Sequence, residues 1–206
     1  MNCKWSFFLS SPIVLSLMLL VGCAGDRSVH LKYEPPPATI SQISSNTPRK
    51  IQVLDFEDKR ADEINPKLIG SLTAAFNVAM GAVFSDVSVS ETIRQAVKSE
   101  LIQSGHEIVN EGEDIIIKGD VQTFWVSTET TTLYWDVVGE ISIFVEIKKA
   151  GTDYFTKLGP YHGKAVERTY LNPSVTIIES VLQKSLNITM KEMFSDEKII
   201  SFFVTK

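Results

Sequence analysis

Cysteine, histidine and clustered positive charge are the scarcest features of this 206-residue chain. It has two cysteines, three histidines, and 20 basic against 25 acidic residues, for a net charge of −5 at pH 7. The basic residues form no dense block, which argues against nucleic acid as a partner. His30, His106 and His162 include no pair with metal-ligand spacing. We therefore expect ordinary surface or turn histidines, with no metal and no cofactor.

Both cysteines lie near the amino terminus. Cys23 closes the run Leu20-Val21-Gly22-Cys23, which follows the basic Lys4 and an uncharged apolar stretch at 5–20. This order is typical of a bacterial lipoprotein signal peptide, where the peptidase recognises the three residues before the cysteine. An uncleaved transmembrane anchor is the alternative. The apolar stretch is short for a span of about 20 residues, however, and Pro12 interrupts it.

The lipoprotein interpretation fixes the chemistry of the mature chain. Cleavage before Cys23 removes Cys3, and a diacylglycerol on the remaining sulfur leaves no thiol for disulfides, zinc binding or catalysis. Ala24 follows, where an aspartate would signal inner-membrane retention in a Gram-negative host. We therefore expect a lipid anchor in the outer membrane and a body that faces the periplasm.

Three segments are predicted along the chain. Residues 1–22 are a cleaved signal peptide, residues 23–48 are a lipidated tether stiffened by three consecutive prolines, and residues 49–206 are a single domain. The hydrophobic fraction of 44% and the charged fraction of 22% are typical of a globular protein.

Apolar alternation predicts strands at 50–56, 106–109, 114–126, 133–147 and 154–169, and two short strands within 68–84 that turn near Gly81. In the strand 114–126, Trp125 is expected on the same face as Ile115, Ile117 and Val121. The successive hairpins predict an α+β fold. Its expected form is an antiparallel sheet with two helices packed on one face, a two-layer sandwich.

The helix boundaries are predicted from capping residues. Ser88 and Glu91 match a capping box, and Gly105 ends the helix that follows. Asn172 and Pro173 are expected as N-cap and first residue of the second helix. The tail at 199–204 is expected to add an edge strand or to extend that helix.

Two groups of residues are candidates for chemistry or binding. An acidic cluster follows the first strand and could serve a hydrolase, although Lys59 and Arg60 favour a solvated loop. The cluster comprises Asp55, Glu57, Asp58, Asp62 and Glu63. Trp125, Tyr134 and Trp135 flank the turn at 127–132 and form a candidate interaction surface, with cross-strand core pairing as the alternative.

The chain resembles the YajG-type family of outer-membrane lipoproteins. The resemblance rests on the run from Leu20 to Cys23, the strand Ile51–Phe56, the turn at Asp58-Lys59-Arg60, the step at 68–70 and the helix end at Ser104-Gly105. It implies a lipoprotein without known catalytic residues. We therefore expect a non-catalytic, membrane-tethered binding or assembly module of the envelope with a protein partner. The alternatives are a structural subunit of a larger envelope complex that uses exposed sheet edges, and a carboxylate-dependent hydrolase.

Overall fold

One eight-stranded sheet carries three α-helices in this computed structural model, which describes residues 25–36, 43, 47–60 and 65–203. The strands are β1 (Arg27–Val29), β2 (Lys50–Asp58), β3 (Leu68–Thr73), β4 (Ala79–Ser85), β5 (Glu107–Ile108), β6 (Ile115–Thr130), β7 (Trp135–Lys149) and β8 (Thr156–Thr169). The helices are α1 (Val89–Gln103), α2 (Val175–Ser195) and α3 (Glu197–Phe203), and a short 3-10 turn covers Ala75–Asn77.

Strand β6 organises the sheet. One side of β6 pairs with antiparallel β7, which pairs in turn with antiparallel β8. Its other side is shared between two parallel neighbours, β2 along its first half and β3 at the single pair Gly70–Val126. Strand β4 pairs antiparallel with β3, and β1 and β5 add parallel edges. The sheet is therefore mixed, which corrects the expected antiparallel sheet, because alternation fixes a strand's faces but not its neighbour's direction.

A bulge in β6 corrects the predicted face of Trp125. The pairing with β7 shifts between Val121 and Thr123, so one residue is inserted into the strand at that point. An inserted residue reverses which positions face the core. Ile115, Ile117 and Val121 are buried before the bulge, whereas Phe124 and Val126 are buried after it. Trp125 is consequently half-buried on the opposite face.

The helices cover the sheet through close contacts. Helix α1 packs against β2, and α2 packs against β7 and β8. The Ser185 hydroxyl on α2 donates a hydrogen bond of 2.9 Å to the carbonyl of Gly139 on β7. A Cβ at Gly163 on β8 would stand 2.0 Å from the Ser185 carbonyl, so the close approach requires glycine there. None of the described helices combines the length and apolar character needed to cross a bilayer.

Of the two predicted N-cap residues, one is confirmed and the other is wrong. The Ser88 hydroxyl accepts a hydrogen bond from the Glu91 amide, as predicted. Helix α2 begins at Val175 with Ser174 as its cap, not at Asn172 and Pro173. The predicted tail forms α3, a separate helix, because Asp196 leaves the helical conformation with ψ 122°.

Part of the segment predicted as a tether belongs to the folded domain. Strand β1 lies at 27–29, and Val29, Tyr33 and Ile43 are buried. Gly81, where a turn was expected, lies within β4, and the actual turn precedes it at 74–78. The carbonyl of Gly25 is 2.4 Å from where a Cβ at Gly81 would stand. Glycine at 81 therefore lets the start of the chain dock beside β4.

Candidate functional site

The three histidines lie far apart and make separate contacts. His30 is exposed and paired with Asp86, and exposed His162 has its Nε2 3.0 Å from Glu140. His106 follows the turn that ends α1, as expected, but it is buried rather than at the surface. Within the described part of the chain, no group of three or more histidine, cysteine or acidic residues is arranged to hold a metal ion.

His106 holds the segment before β2 against the domain. Its Nε2 lies 2.9 Å from the carbonyl of Ile43, and its Nδ1 accepts the amide hydrogen of Arg49 at 3.3 Å. The Phe203 ring is 5.1 Å away, centroid to centroid. This arrangement fits a neutral imidazole that donates through Nε2. Burial lowers the pKa of His106, and the Arg49 charge adds to this effect.

The described members of the acidic cluster lie at the end of β2, and all of them are ion-paired carboxylates. Asp55 pairs with Arg94 at 3.0 Å, and Glu57 pairs with Lys59 at 2.5 Å. Asp58 forms two contacts of 2.8 Å with Arg60. Asp62 and Glu63 lie outside the described residues.

Arg60 closes the seam where β2 ends and β3 begins along β6. Its side chain is only 4% exposed. Besides the fork onto Asp58, the guanidinium donates to the carbonyls of Leu68 at 2.5 Å and of Phe124 at 3.3 Å. Burial alone would raise the pKa of Asp58, but the hydrogen bonds and charge of Arg60 outweigh it, and the pKa lies below its ordinary value. This pair has a structural role, since it ties three strands together.

A shallow depression of about 240 Å³ lies beside this seam, on the outer face of the sheet. Its charged lining is largely neutralised, because Lys118 is 3.2 Å from Glu146 and Lys157 is 2.6 Å from Asp120. The lining residues are Asp55, Glu57, Lys59, Lys118, Gly119, Asp120 and Glu146. These residues form a solvated network of alternating charge rather than a pair of free carboxylates for acid and base catalysis.

The predicted aromatic surface is divided by the sheet. Trp135 pairs with Thr130 at the end of the β6–β7 hairpin, whereas Trp125 pairs with Glu140 farther back and on the other face. Tyr134 lies in the turn itself. The Arg168 guanidinium stacks 3.6 Å from the Tyr134 ring and forms two 2.8 Å hydrogen bonds with Asp136. A role of these three aromatic residues in binding stays a prediction.

Three turns meet at the end of the sheet that carries Tyr134. The Thr73 amide donates to the hydroxyl of Thr128 at 2.8 Å, and the Thr130 hydroxyl donates to the Thr73 carbonyl at 2.8 Å, which joins the β3–β4 turn to β6. The rings of Tyr134 and Tyr170 lie 6.4 Å apart, edge to face, which joins the β6–β7 turn to the β8–α2 loop. The sequence analysis did not place the β3–β4 turn at this end, because its position depends on the parallel pairing of β3 with β6.

A family model described as an uncharacterised lipoprotein, of the YajG type, matches residues 37–203. The chain belongs to this lipoprotein family. This confirms the resemblance drawn from the sequence. No curated protein matches the chain. Cys23 and the run from Leu20 to Gly22 lie outside the described residues, so their role in lipidation stays a prediction.

One solved structure shares the fold at very low sequence identity, and a second resembles it more weakly. A crystal structure of protein XCC0632 from Xanthomonas campestris, of the family DUF330, matches with a TM-score of 0.53 and 9% identity over 81% of this chain and 91% of that chain. A neuraminyllactose-binding hemagglutinin homologue from Helicobacter pylori gives a TM-score of 0.41 and 10% identity over 84% of this chain and 98% of that chain. The first match supports the fold alone, and the second is too weak to bear on function.

Proposed function

We propose that this protein is a lipid-anchored, non-catalytic module of the bacterial envelope that binds or assembles a protein partner. Its anchor is the diacylglycerol on Cys23, and its body faces the periplasm from the outer membrane. One observation carries this proposal: residues 37–203 match a lipoprotein family, and they follow the lipoprotein signal that ends in Leu20 to Cys23.

The contacts of the acidic cluster support a non-catalytic role. Each of its described carboxylates has a cationic partner, and the partner of Asp58 is almost fully buried. A general acid or base needs a carboxyl group that can reach a substrate with a pKa near the working pH. The lowered pKa of Asp58 is the opposite of what a general acid requires.

Intact-mass measurement of the protein purified from cell envelopes tests the anchor. We expect a chain that begins at Cys23 and carries acyl groups, and we expect Cys23→Ser to keep an uncut signal peptide without lipid. A wild-type protein with its original amino terminus, or with an unmodified sulfur, would refute the proposal.

The sorting of the anchor is tested separately by membrane fractionation. The parent protein, with Ala24 after the cysteine, should be recovered with outer-membrane markers. The Ala24→Asp variant should move to the inner membrane, since aspartate at that position is the retention signal. An inner-membrane location of the parent would contradict the proposed compartment without affecting the lipid itself.

Crosslinking in native envelopes, followed by mass spectrometry, tests for the partner. We expect at least one protein to be captured by the parent and lost when Cys23→Ser leaves the chain without its lipid. Light scattering of the purified protein in detergent distinguishes the second candidate, a structural subunit. Strand β8 pairs only with β7 among the described strands, so one long edge could join copies into a larger assembly.

A further inference from the structure

The three turns that meet at one end of the sheet expose large apolar side chains. We name this region the apolar end and define it by five residues. In the β3–β4 turn, Phe76 is 96% exposed and Val78 is 57% exposed. Leu133 in the β6–β7 turn is 76% exposed, and Tyr170 and Leu171 after β8 are 74% and 78% exposed. Apolar side chains gathered at one exposed end mark an interaction site more often than singly scattered ones do.

The conformation of Phe76 strengthens this interpretation. Its φ of 60° places a bulky residue in the left-handed region, where glycine or asparagine is favoured. A hydrogen bond of 2.8 Å from the Ala74 amide to the Val78 carbonyl closes the turn around it. The Phe76 ring gains no stability from burial, and the backbone conformation at this position disfavours a bulky residue. Such an outlier at an exposed turn supports a role for Phe76 in a contact outside the domain.

The amino-terminal segment enters the fold beside the apolar end. Strand β1 runs parallel to β4, and β4 leads away from the β3–β4 turn. The chain before β1 therefore comes from the side of that turn. The Asp26 carboxylate accepts the amide hydrogen of Ala82 at 3.0 Å. The Arg27 guanidinium donates to Asn172 at 3.1 Å, one residue beyond the exposed Leu171.

The distance from this entry point to the lipid attachment site is bounded by the covalent chain. Cys23 precedes Gly25 by two residues, and two steps of 3.8 Å between Cα atoms span at most about 7.6 Å. Gly25 itself lies against Gly81, close to the start of β4. The acyl groups on Cys23 would therefore leave the protein close to the apolar end, without a long tether between them.

We propose that the apolar end rests on the bilayer that holds the lipid of Cys23, with Phe76, Leu133 and Leu171 in its headgroup region. The inference rests on the proposed lipidation. It replaces a domain suspended on a tether by a domain with a fixed orientation towards the membrane. Tyr170 fits the same environment, since tyrosine is enriched at membrane interfaces.

The charges near the apolar end indicate that the membrane contact is apolar and does not depend on electrostatic attraction. Arg168 is engaged by Asp136, and Arg27 is next to Asp26 in the chain. The described residues of this end therefore form no cluster of positive charge that would attract anionic lipids, in contrast to polybasic membrane-binding segments. The contact should therefore be equally strong on neutral and anionic bilayers.

A single-cysteine labelling experiment tests the orientation. Phe76→Cys, Leu133→Cys and Tyr154→Cys each introduce one free thiol into the mature lipidated protein, because Cys23 is blocked by its lipid. Tyr154 is the matched control, since it is 74% exposed in the β7–β8 hairpin at the opposite end of the sheet. Each purified variant carries a nitrobenzoxadiazole label and is placed in phosphatidylcholine vesicles with a nitroxide-labelled lipid, with and without phosphatidylglycerol.

We expect quenching by the nitroxide lipid to be several-fold greater at 76 and 133 than at 154, in both kinds of vesicle. Equal quenching at the three positions, in protein that floats with the vesicles, would overturn the orientation while leaving the lipid anchor intact. Failure to float would refute both the anchor and the orientation. If the label at 76 is shielded from solvent only when many protein molecules share a vesicle, and becomes exposed when the protein is diluted into more vesicles, a second copy covers the apolar end. That result would also overturn the proposal.

Discussion

The two ends of the sheet differ in what their turns expose. At the apolar end, Phe76, Leu133 and Leu171 point large apolar side chains into solvent. At the opposite end, the loop 109–114 and the β7–β8 hairpin turn through Gly112 and Gly151, both with positive φ. Their other residues are mostly polar or acidic, with Tyr154 as an exposed exception. We name this second region the polar end.

The fold alone explains the residues of the polar end, but it does not explain those of the apolar end. Glycine and polar residues are what tight turns prefer, so the polar end is explained by the fold alone. A phenylalanine at φ 60° is not explained that way. The apolar end also lies where the chain enters from Cys23, and the polar end lies away from it. The contrast therefore supports a domain with a membrane-facing side and a periplasm-facing side.

The largest expected effect is the loss of the Arg60 seam, which attaches the β3–β4 hairpin of the apolar end to β6. Arg60→Ala leaves the half-buried Asp58 without its partner and removes a donor from the carbonyls of Leu68 and Phe124. We expect a loss of about 3 kcal/mol in the free energy of unfolding, at the low end for a broken buried ion pair. Urea unfolding of the purified protein measures it.

The matched control for this substitution is Lys59→Ala. Lys59 precedes Arg60 directly, but its side chain is 53% exposed in its pair with Glu57. Such surface pairs contribute about 0–1 kcal/mol. Similar losses for the two variants would mean that the seam does not hold the apolar end to the sheet.

A smaller effect is expected from Gly70→Ala, at the single paired position of β3 and β6. A Cβ there would stand 2.3 Å from both the Val126 carbonyl oxygen and a methyl group of its side chain. The overpacking should cost about 1–3 kcal/mol. Thermal or urea unfolding measures this cost, and Gly25→Ala, with nothing within 4 Å of its Cβ position, is the control. A Gly70→Ala variant as stable as the parent would show that β3 can move freely against β6.

The sequence predicted most elements because their signals are local. Alternation located β2, β6, β7 and β8, and Ser88 marked the start of α1. The wrong predictions concern features that depend on contacts with other parts of the chain and not on the local sequence. The bulge after Val121 turned Trp125 to the other face, and Ser174 capped α2 in place of Asn172.

The candidate site was harder to predict than the fold. Strand β1 has three residues and exists only because Gly81 lets the chain dock beside β4. The segment therefore looked like a free tether. Likewise, Phe76 lies far from Leu133 and Leu171 in sequence, and only the parallel pairing of β3 with β6 brings its turn to their end of the sheet. In the sequence, these exposed apolar residues look the same as apolar residues of the core, so their exposure could not be predicted.

The start of β2, beside the polar end, should respond to mild acid through His106. Because burial holds the folded-state pKa of His106 below its ordinary 6.5, its stabilising contribution is complete above pH 6.5 and is lost as the pH falls through the folded-state value. Protonation would place a donor on Nδ1, against the Arg49 amide. We expect His106→Gln to lose less stability than the parent between pH 7.5 and pH 5, measured by urea unfolding. An equal loss in both proteins would exclude His106 as the cause.

The smallest effect is expected at the Arg168 pair beside Tyr134. Arg168→Lys keeps the charge but removes the two-pronged contact with Asp136 and the planar stack on the Tyr134 ring. The pair lies at the surface, where solvent screens the charges, so the free energy of unfolding should hardly change. Quenching of a label at position 76 by nitroxide lipid should not change. A large loss of membrane contact would show that charge contributes to it after all.

Photocrosslinking in living cells tests whether the apolar end faces the membrane. A photoreactive amino acid replaces Phe76 at the apolar end or Tyr154 at the polar end, and mass spectrometry identifies what each position captures. We expect phospholipid adducts at 76 and none at 154. Phospholipid at 154 and only protein at 76 would contradict this expectation, because the domain would then turn its polar end towards the membrane.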